Sequence, residues 1–192
     1  MTAESAAAAI GIRRVEIADA QLIEQYASDA RIAETSHVPH PYPRGGGLRF
    51  TASAIAAWNK GSERTFVVTV DGALAGLVSL MALNRLRASA QVGYWIAVPY
   101  WGRGIASEAL RLAVRFGFGE LHLAELGAGC LAVNAASARV LEKNGFVEQA
   151  PYYYEGPDER FRGQKIRAFF LSRPQPDRWG SVWRSKGKNV QF

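Results

Sequence analysis

The sequence predicts a mixed α/β domain of the α+β class, built from one central sheet of seven strands with helices packed against it. Three observations predict this class. Apolar and polar residues alternate in several short segments, apolar residues recur at helical spacing in others, and Asp71-Gly72 separates two alternating segments as a hairpin turn would. The 192 residues are enough to bury a sizeable core in a single domain.

The first third of the chain is predicted to contain one strand and two helices. The strand covers residues 12–17, where apolar and polar side chains alternate. Asp19 is a plausible N-cap for a helix whose apolar residues recur at helical spacing as far as Ala30. Residues 35–47 hold three prolines and three consecutive glycines, a composition that excludes regular structure there. A short helix is predicted over residues 51–59.

The rest of the chain is predicted to contain six strands and two helices. In chain order, these are strands over 64–70, 73–83 and 88–98, a helix over 105–118, a strand over 123–133, a helix over 135–144, and strands over 146–154 and 165–171. We therefore expect one domain over residues 1–171 and a basic tail over 172–192. Trp179 and Trp183 in that tail have the spacing of one helical face.

Composition limits the class of function. The net charge of +6 suits a phosphate-rich partner, although much of the excess lies in the last twenty residues. Cys130 is the single cysteine, so we expect no intramolecular disulfide and no metal site, and Cys130 itself is predicted to be a small core residue. The N-terminus lacks the basic region of a signal peptide, and no apolar run reaches the roughly 18 residues of a membrane helix. A cytoplasmic protein without a membrane partner is the expectation.

The first segment that could carry chemistry runs from Gly93 to Leu110. A strand ends within it, and a turn with Gly102, Arg103 and Gly104 leads into a helix. Because a helix start has unpaired amides and a partial positive charge, and Arg103 adds a full charge, the segment suits a diphosphate. A glycine-softened turn without a ligand is the other interpretation. The segment is neither a Walker loop nor a dinucleotide-binding fingerprint, since the Gly-Lys-Ser/Thr ending and the third glycine are missing.

The second segment covers residues 132–146. Asn134 can cap the predicted helix, Asn144-Gly145 can end it, and Ser137 lies in its first turn. Taken alone, these residues are explained equally well by helix capping and by a solvated hydroxyl.

Taken together, the motifs resemble the GNAT acetyltransferase superfamily, and within it the branch of the ribosomal-protein N-terminal alanine and serine acetyltransferases. The resemblance runs from about residue 12 to residue 171 and rests on three segments in the family's order. They are Val38-Pro-His-Pro-Tyr42, then Gly93-Tyr-Trp-Ile with Pro99-Tyr-Trp-Gly-Arg-Gly-Ile-Ala-Ser-Glu-Ala, then Asn134-Ala-Ala-Ser-Ala-Arg-Val-Leu-Glu-Lys-Asn-Gly-Phe146.

The resemblance implies both a fold and an activity. The GNAT fold has a twisted, mostly antiparallel sheet of seven strands with helices on both faces, splayed around the cofactor cleft. The implied enzyme moves the acetyl group of acetyl-coenzyme A to a primary amine by direct attack in a ternary complex, without a metal. A protein N-terminal α-amine is one candidate acceptor, a small molecule is another, and a homodimer is the oligomer that the family suggests.

The resemblance also assigns roles by position. The main chain at Ile96, Ala97 and Val98 would pair with the pantetheine arm, and Asn134 would bond to the same arm. Ser137 would donate a proton to the leaving thiolate. The backbone amides of five residues would hold the diphosphate, namely Arg103, Gly104, Ile105, Ala106 and Ser107. The side chains of Arg139 and Lys143 would lie near the phosphates.

Two residues depart from the family pattern. Trp101 replaces the glutamine or arginine that often opens the diphosphate motif, and Gln91 replaces a glutamate that could act as a base. Glu34, His37 and His40 are the other candidate bases, of which we favour His37 because imidazole titrates near neutral pH. A base need do little for an α-amine, since its pKa of about 8 leaves a useful neutral fraction, whereas a lysine amine titrates near about 10.4. The acceptor would contact His40, Tyr42, Gln91 and Tyr94.

Two alternative functions stay open from the sequence. Because Gln91 cannot act as a base, the same fold could be a noncatalytic module that binds acyl-coenzyme A. The basic tail and the aromatic run Tyr152-Tyr-Tyr154 could instead bind nucleic acid, although a place in the core or a dimer contact explains the tyrosines more simply. We do not expect a nucleic-acid partner.

Overall fold

The computed structural model describes residues 8–174, which form seven strands and five α-helices. The strands are β1 (Ile10–Arg14), β2 (Arg64–Val70), β3 (Ala73–Asn84), β4 (Ser89–Ile96), β5 (Glu125–Leu131), β6 (Val147–Tyr153) and β7 (Lys165–Ser172). The helices are α1 (Ala20–Ala27), α2 (Ala30–Ala33), α3 (Gly46–Lys60), α4 (Ile105–Gly119) and α5 (Ala135–Lys143). The elements predicted in the second half of the chain are matched closely. The tail with Trp179 and Trp183 lies outside the described residues.

All seven strands join one sheet in the order β1-β2-β3-β4-β5-β7-β6. Every neighbouring pair is antiparallel except β4 and β5, which run parallel. The parallel pairing covers only Ser89 to Val92 on β4 and Glu125 to Ala128 on β5. Beyond that point β4 stays paired with β3 and β5 stays paired with β7, so the two strands separate and a gap opens in the sheet. The predicted α+β class with a mostly antiparallel, seven-stranded sheet is confirmed.

The two sides of the sheet carry different helices. Alternate side chains of a strand point to opposite sides. Ile96 of β4 lies in the main core with Leu110 of α4 and Leu141 of α5, whereas Trp95 packs on the other side against a cluster that contains Ile23 of α1 and is bordered by Phe50 of α3. We call these two sides the α4/α5 face and the α1/α3 face.

The hairpin between β2 and β3 has the predicted turn. Asp71 and Gly72 both have positive φ, at 49° and 84°. This is the backbone shape that the twist of antiparallel strands favours in a two-residue loop. Cys130 is buried in the main core, as predicted.

The prediction for the N-terminal region was wrong in three details. β1 ends at Arg14, and the predicted strand residues near Ile17 form a 3-10 turn instead. Asp19 stands before α1 but makes no capping bond to it, because its carboxylate accepts the Arg13 guanidinium at 2.6 and 2.8 Å and the Glu16 amide at 2.8 Å. The predicted helix through Ala30 is divided, since α1 ends at Ala27 and α2 follows as a separate turn.

The start of α3 also differs from the prediction. The helix begins at Gly46, inside the segment expected to be irregular, and five residues before the predicted start at Thr51. The cause is a contact distant in sequence, in which the carboxylate of Glu24 on α1 accepts the amides of Gly45 and Gly47, each at 3.0 Å. These bonds satisfy amides that a helix start otherwise leaves unpaired.

The aromatic run on β6 is not part of the core. β6 is the edge strand of the sheet, and Tyr152 and Tyr153 are 50% and 65% exposed. The interpretation of these two tyrosines as core residues is therefore wrong. Within residues 8–174, no helix combines the length and the apolar character that a membrane span requires.

Candidate active site

The candidate site lies where β4 and β5 separate. β4 leads through a 3-10 turn at Val98–Tyr100 into α4, and β5 leads through a short turn into α5. The two helix starts therefore flank the open end of the gap. This arrangement brings the two sequence segments singled out above to one place on the α4/α5 face.

The turn before α4 presents a row of free amides. Gly102 and Gly104 both have a φ of 74°, a backbone conformation that residues other than glycine rarely adopt. Among the described residues, none accepts a hydrogen bond from the amides of residues 102–107. A Cβ added at either glycine would meet no atom within 4 Å, so open space faces the turn. Unpaired amides at the positive end of a 15-residue helix are suited to a bound anion.

One cation, Arg103, lies in this turn, and two others, Arg139 and Lys143, lie on α5. The guanidinium of Arg103 lies 5.7 Å from the centre of the Tyr100 ring. Arg139 and Lys143 on α5 form no ion pair with any residue between 8 and 174. Asn144 joins the two helices, because its side-chain amide donates to the carbonyl of Ser107 at 3.1 Å and to that of Val140 at 2.9 Å. The sequence indicated only a helix end at Asn144, and nothing in it signalled this second contact.

The main chain at the end of β4 is only partly free. Ala97 donates its amide to Ala75 at 2.8 Å, whereas the amide of Val98 has no acceptor among the described residues. The carbonyl of Ile96 accepts the indole N–H of Trp101 at 2.6 Å. A ligand that pairs with the end of β4 would find the Val98 amide open and would meet the Trp101 indole at the Ile96 carbonyl.

A pair of hydroxyl groups lies across the gap. The side chain of Asn134 caps α5 by accepting the amide of Ser137 at 3.0 Å. The Ser137 Oγ atom lies 2.9 Å from the Tyr94 hydroxyl, which also donates to the Ser137 carbonyl at 3.2 Å. Burial raises the pKa of the Tyr94 phenol and of the nearby Cys130 thiol, so both keep their protons. The Tyr94–Ser137 pair can therefore donate a proton to an anion formed in the gap.

His37 lies on the other side of the sheet. Its ring is 5.3 Å from the rings of both Tyr154 and Phe161. Phe161 is buried against Leu131 and Ile166. Leu131 is the last residue of β5 and lies beyond the point where β5 separates from β4. Because Leu131 follows Cys130 in the strand, it points to the α1/α3 face. His37 thus packs near the end of β5, on the face opposite to Ser137.

The other residues predicted to contact the acceptor are spread more widely. Gln91 lies on β4 where the strand is still paired with β5, and a Cβ at Gly127 would be 2.6 Å from its Nε2 atom. Tyr42 packs on Gly46 at the start of α3, while His40 and Glu34 are exposed. The structure brings Tyr94 to Ser137 but brings neither His40 nor Tyr42 into contact with that pair. Within residues 8–174, no group of three or more His, Cys, Asp or Glu side chains is arranged to hold a metal ion.

Known proteins share this sequence pattern and this fold. Residues 10–147 match the acetyltransferase (GNAT) domain family. Spermidine N(1)-acetyltransferase of Escherichia coli is 35% identical over 94 residues, which cover 49% of this chain and 50% of that enzyme. The ribosomal-protein-serine acetyltransferase of Escherichia coli is 27% identical over 88 residues, which cover 46% of this chain and 49% of that enzyme. The chain thus spans about half the length of these curated relatives.

A solved structure extends the likeness to most of the chain. RimL, a ribosomal L7/L12 alpha-N-protein acetyltransferase in complex with coenzyme A, superimposes with a TM-score of 0.78. The match covers 85% of this chain and 93% of that protein at 15% sequence identity. At this identity the likeness shows the shared fold alone.

Proposed function

Because this chain belongs to the GNAT family of acetyltransferases, we propose that it transfers the acetyl group of acetyl-coenzyme A to a primary amine. The observation that carries this proposal is the gap between β4 and β5, which has free amides at one border and the Tyr94–Ser137 pair at the other. Such a gap can hold a thioester, while the amides at the start of α4 bind the anionic part of the same molecule.

Donor binding would use the backbone more than side chains. The amides of Arg103, Gly104, Ile105, Ala106 and Ser107 hold the diphosphate, and the cations of Arg103, Arg139 and Lys143 lie near the phosphates. The pantetheine arm lies along the end of β4, where the Val98 amide is free to donate to it. Asn134 reaches the same arm only through the part of its side chain that does not accept the Ser137 amide.

The acceptor would enter from the opposite face. α4 and α5 flank the α4/α5 face of the gap, so the donor arrives there, whereas the loop that carries His37 borders the α1/α3 face. Since the gap joins both faces, the amine can attack the thioester directly while both substrates are bound. This supports a ternary complex and makes a covalent acetyl-enzyme unnecessary.

The proton transfers then have plausible partners. His37 accepts a proton from the acceptor ammonium, and the neutral amine attacks the acetyl carbon. The Tyr94–Ser137 pair donates a proton to the thiolate that leaves. Because a thiol has a pKa of about 8.5, the thiolate is a modest base and the donor contributes a modest rate factor.

For the acceptor we propose a protein N-terminal α-amine, with an alkylamine such as a polyamine as the second candidate. An α-amine, with a pKa of about 8, needs only a weak base, and His37 is the base that we propose. The acetyltransferases of ribosomal protein and of spermidine among the relatives represent these two acceptor classes. We further propose that the domain covers residues 1–171, that the chain forms a homodimer and that it acts in the cytoplasm.

The test is a measurement of thiol release with acetyl-coenzyme A and a panel of peptides, polyamines and small amines, with the products identified by mass spectrometry. We expect one acetyl group on the amine of at least one peptide. Acetylation of polyamines alone would replace the first acceptor class with the second. Binding of acetyl-coenzyme A without turnover on any amine would favour a noncatalytic module instead.

We expect Ser137→Ala to lower kcat roughly tenfold while the dissociation constant of coenzyme A changes less than about twofold. The hydroxyl is lost, but Tyr94 stays and the helix cap depends on the Ser137 amide, which alanine retains. Steady-state kinetics and calorimetry measure the two effects. Ser62→Ala, at a residue beyond the end of α3, is the matched control. A wild-type kcat in Ser137→Ala would remove the proton-donor role.

A further inference from the structure

We propose that Asp158, held in place by Arg160, is a positioning residue that fixes His37 in the tautomer whose Nε2 atom can accept a proton from the acceptor amine. This inference rests on the proposed function and names how its base is set. Asp158 and Arg160 lie in the loop between β6 and β7, more than 120 residues after His37 in sequence.

The carboxylate of Asp158 can only accept hydrogen bonds. Arg160 donates to it from Nε at 2.9 Å and from Nη2 at 2.6 Å, and the carboxylate is 19% exposed. The hydrogen bonds from Arg160 above all, and the contact with His37, hold the pKa of Asp158 well below its usual range. His37 Nδ1 lies 3.3 Å from the same carboxylate, so this nitrogen must carry the hydrogen of the bond. In the neutral ring, Nε2 is then left with the free lone pair.

Arg160 also fixes the backbone on which His37 stands. Its Nη1 donates to the carbonyl of Ala33 at 3.1 Å and its Nη2 to that of Ser36 at 3.4 Å. The guanidinium lies 5.0 Å from the centre of the Phe161 ring. One side chain therefore ties the β6–β7 loop to the segment that follows α2, and both partners of the His37–Asp158 contact are held by it.

The imidazole remains open to a substrate. The His37 side chain is 64% exposed although its Nδ1 edge faces Asp158. The groups around the ring are the carboxylate of Asp158, the phenol of Tyr154 and the buried ring of Phe161. A substrate amine on the α1/α3 face can thus reach Nε2.

The proposed transfer takes two protons from the acceptor ammonium. One proton moves from the acceptor ammonium to Nε2, which leaves a neutral amine and an imidazolium paired with Asp158. The amine nitrogen forms a bond with the acetyl carbon, the carbon–sulfur bond breaks, and the leaving thiolate takes a proton from the Tyr94–Ser137 pair. As the amide forms, the nitrogen loses its second proton, which passes through solvent and restores the proton of that pair. The proton on His37 is released to solvent.

A double-mutant cycle tests the proposal with the full-length enzyme and an acceptor that the wild type acetylates. For an α-amine, of which about a tenth is already neutral at pH 7, we expect His37→Gln to lower kcat roughly tenfold and Asp158→Asn roughly fivefold. If Asp158 acts through His37, the double variant should match His37→Gln within about twofold, and not fall by the product of the two factors. Glu159→Gln, an acid-to-amide change at the neighbouring residue, is the control and should leave kcat unchanged, because that side chain is 82% exposed.

Several outcomes would overturn the inference. The inference would be overturned by a fully multiplicative cycle or by a wild-type kcat in Asp158→Asn. It would also be overturned by a change confined to the KM of the amine, since that is what a merely structural loop contact gives. Should Asp158→Asn fold poorly, Arg160→Lys carries the same test, and its loss of kcat should disappear in the His37→Gln background. A wild type that binds coenzyme A but acetylates no amine would contradict the proposed function itself, a result distinct from any of these.

Discussion

Gly104→Glu should raise the dissociation constant of coenzyme A at least about 100-fold. The new carboxylate would stand at the start of α4, among the amides proposed to bind the diphosphate. Two like charges about 5 Å apart repel by roughly 1–3 kcal/mol near a protein surface, and a diphosphate carries more than one charge. Every 1.4 kcal/mol changes the affinity about tenfold.

The structure allows this substitution to be separated from misfolding. A side chain at Gly104 has open space, and only the positive φ of 74° opposes it, at a cost of about 1 kcal/mol. Gly104→Ala carries the same backbone cost without the charge. Gly72→Glu places a carboxylate at another open glycine of positive φ, in the β2–β3 hairpin. Calorimetry should give near-normal affinity for both controls, and normal affinity in Gly104→Glu would show that the diphosphate binds elsewhere.

Gly47→Ala should lower the free energy of unfolding by about 3 kcal/mol. Gly47 is buried in the first turn of α3, and a Cβ there would collide with the carbonyl oxygen of Ala20 and lie 2.9 Å from the Cβ of Glu24. Relief requires α1 and α3 to move apart, since the first of these atoms belongs to the backbone. Movement would also stretch the bonds from the Gly45 and Gly47 amides to Glu24. Overpacking of this kind costs about 1–3 kcal/mol, and the lost bonds add to it.

Urea denaturation monitored by circular dichroism measures this effect. Gly119→Ala is the matched control, because a Cβ at that position of α4 meets no atom within 4 Å. It should leave stability unchanged or raise it by up to about 1 kcal/mol through helix propensity. Equal stability of Gly47→Ala and the wild type would mean that α1 and α3 are less closely packed than described.

Sequence reasoning succeeded where structure is determined locally. Asp71-Gly72 predicted the β2–β3 hairpin, and Gly104 and Asn134 marked the starts of α4 and α5, because turns and caps depend on a few adjacent residues. The same locality explains why the two cofactor segments could be recognised. Their position beside one gap needed the resemblance to a known fold, since neither segment alone indicates its neighbour in space.

Contacts between distant residues accounted for the errors. Asp19 was expected to cap α1 but pairs with Arg13, and α3 starts early because Glu24 supplies the acceptors. His37 was singled out as a base, yet nothing in the sequence pointed to Asp158, which lies 121 residues away. Side-chain chemistry alone cannot choose among many possible partners until the fold has placed them.

The gap between β4 and β5 faces both sides of the sheet, that of α4 and α5 and that of α1 and α3. In the proposed reaction, a donor that enters from one side and an acceptor that enters from the other would not obstruct each other. Neither substrate would then have to bind first, and neither product would have to leave before the other. Such an arrangement would permit random-order addition, with each product competing only against the substrate that enters from the same side.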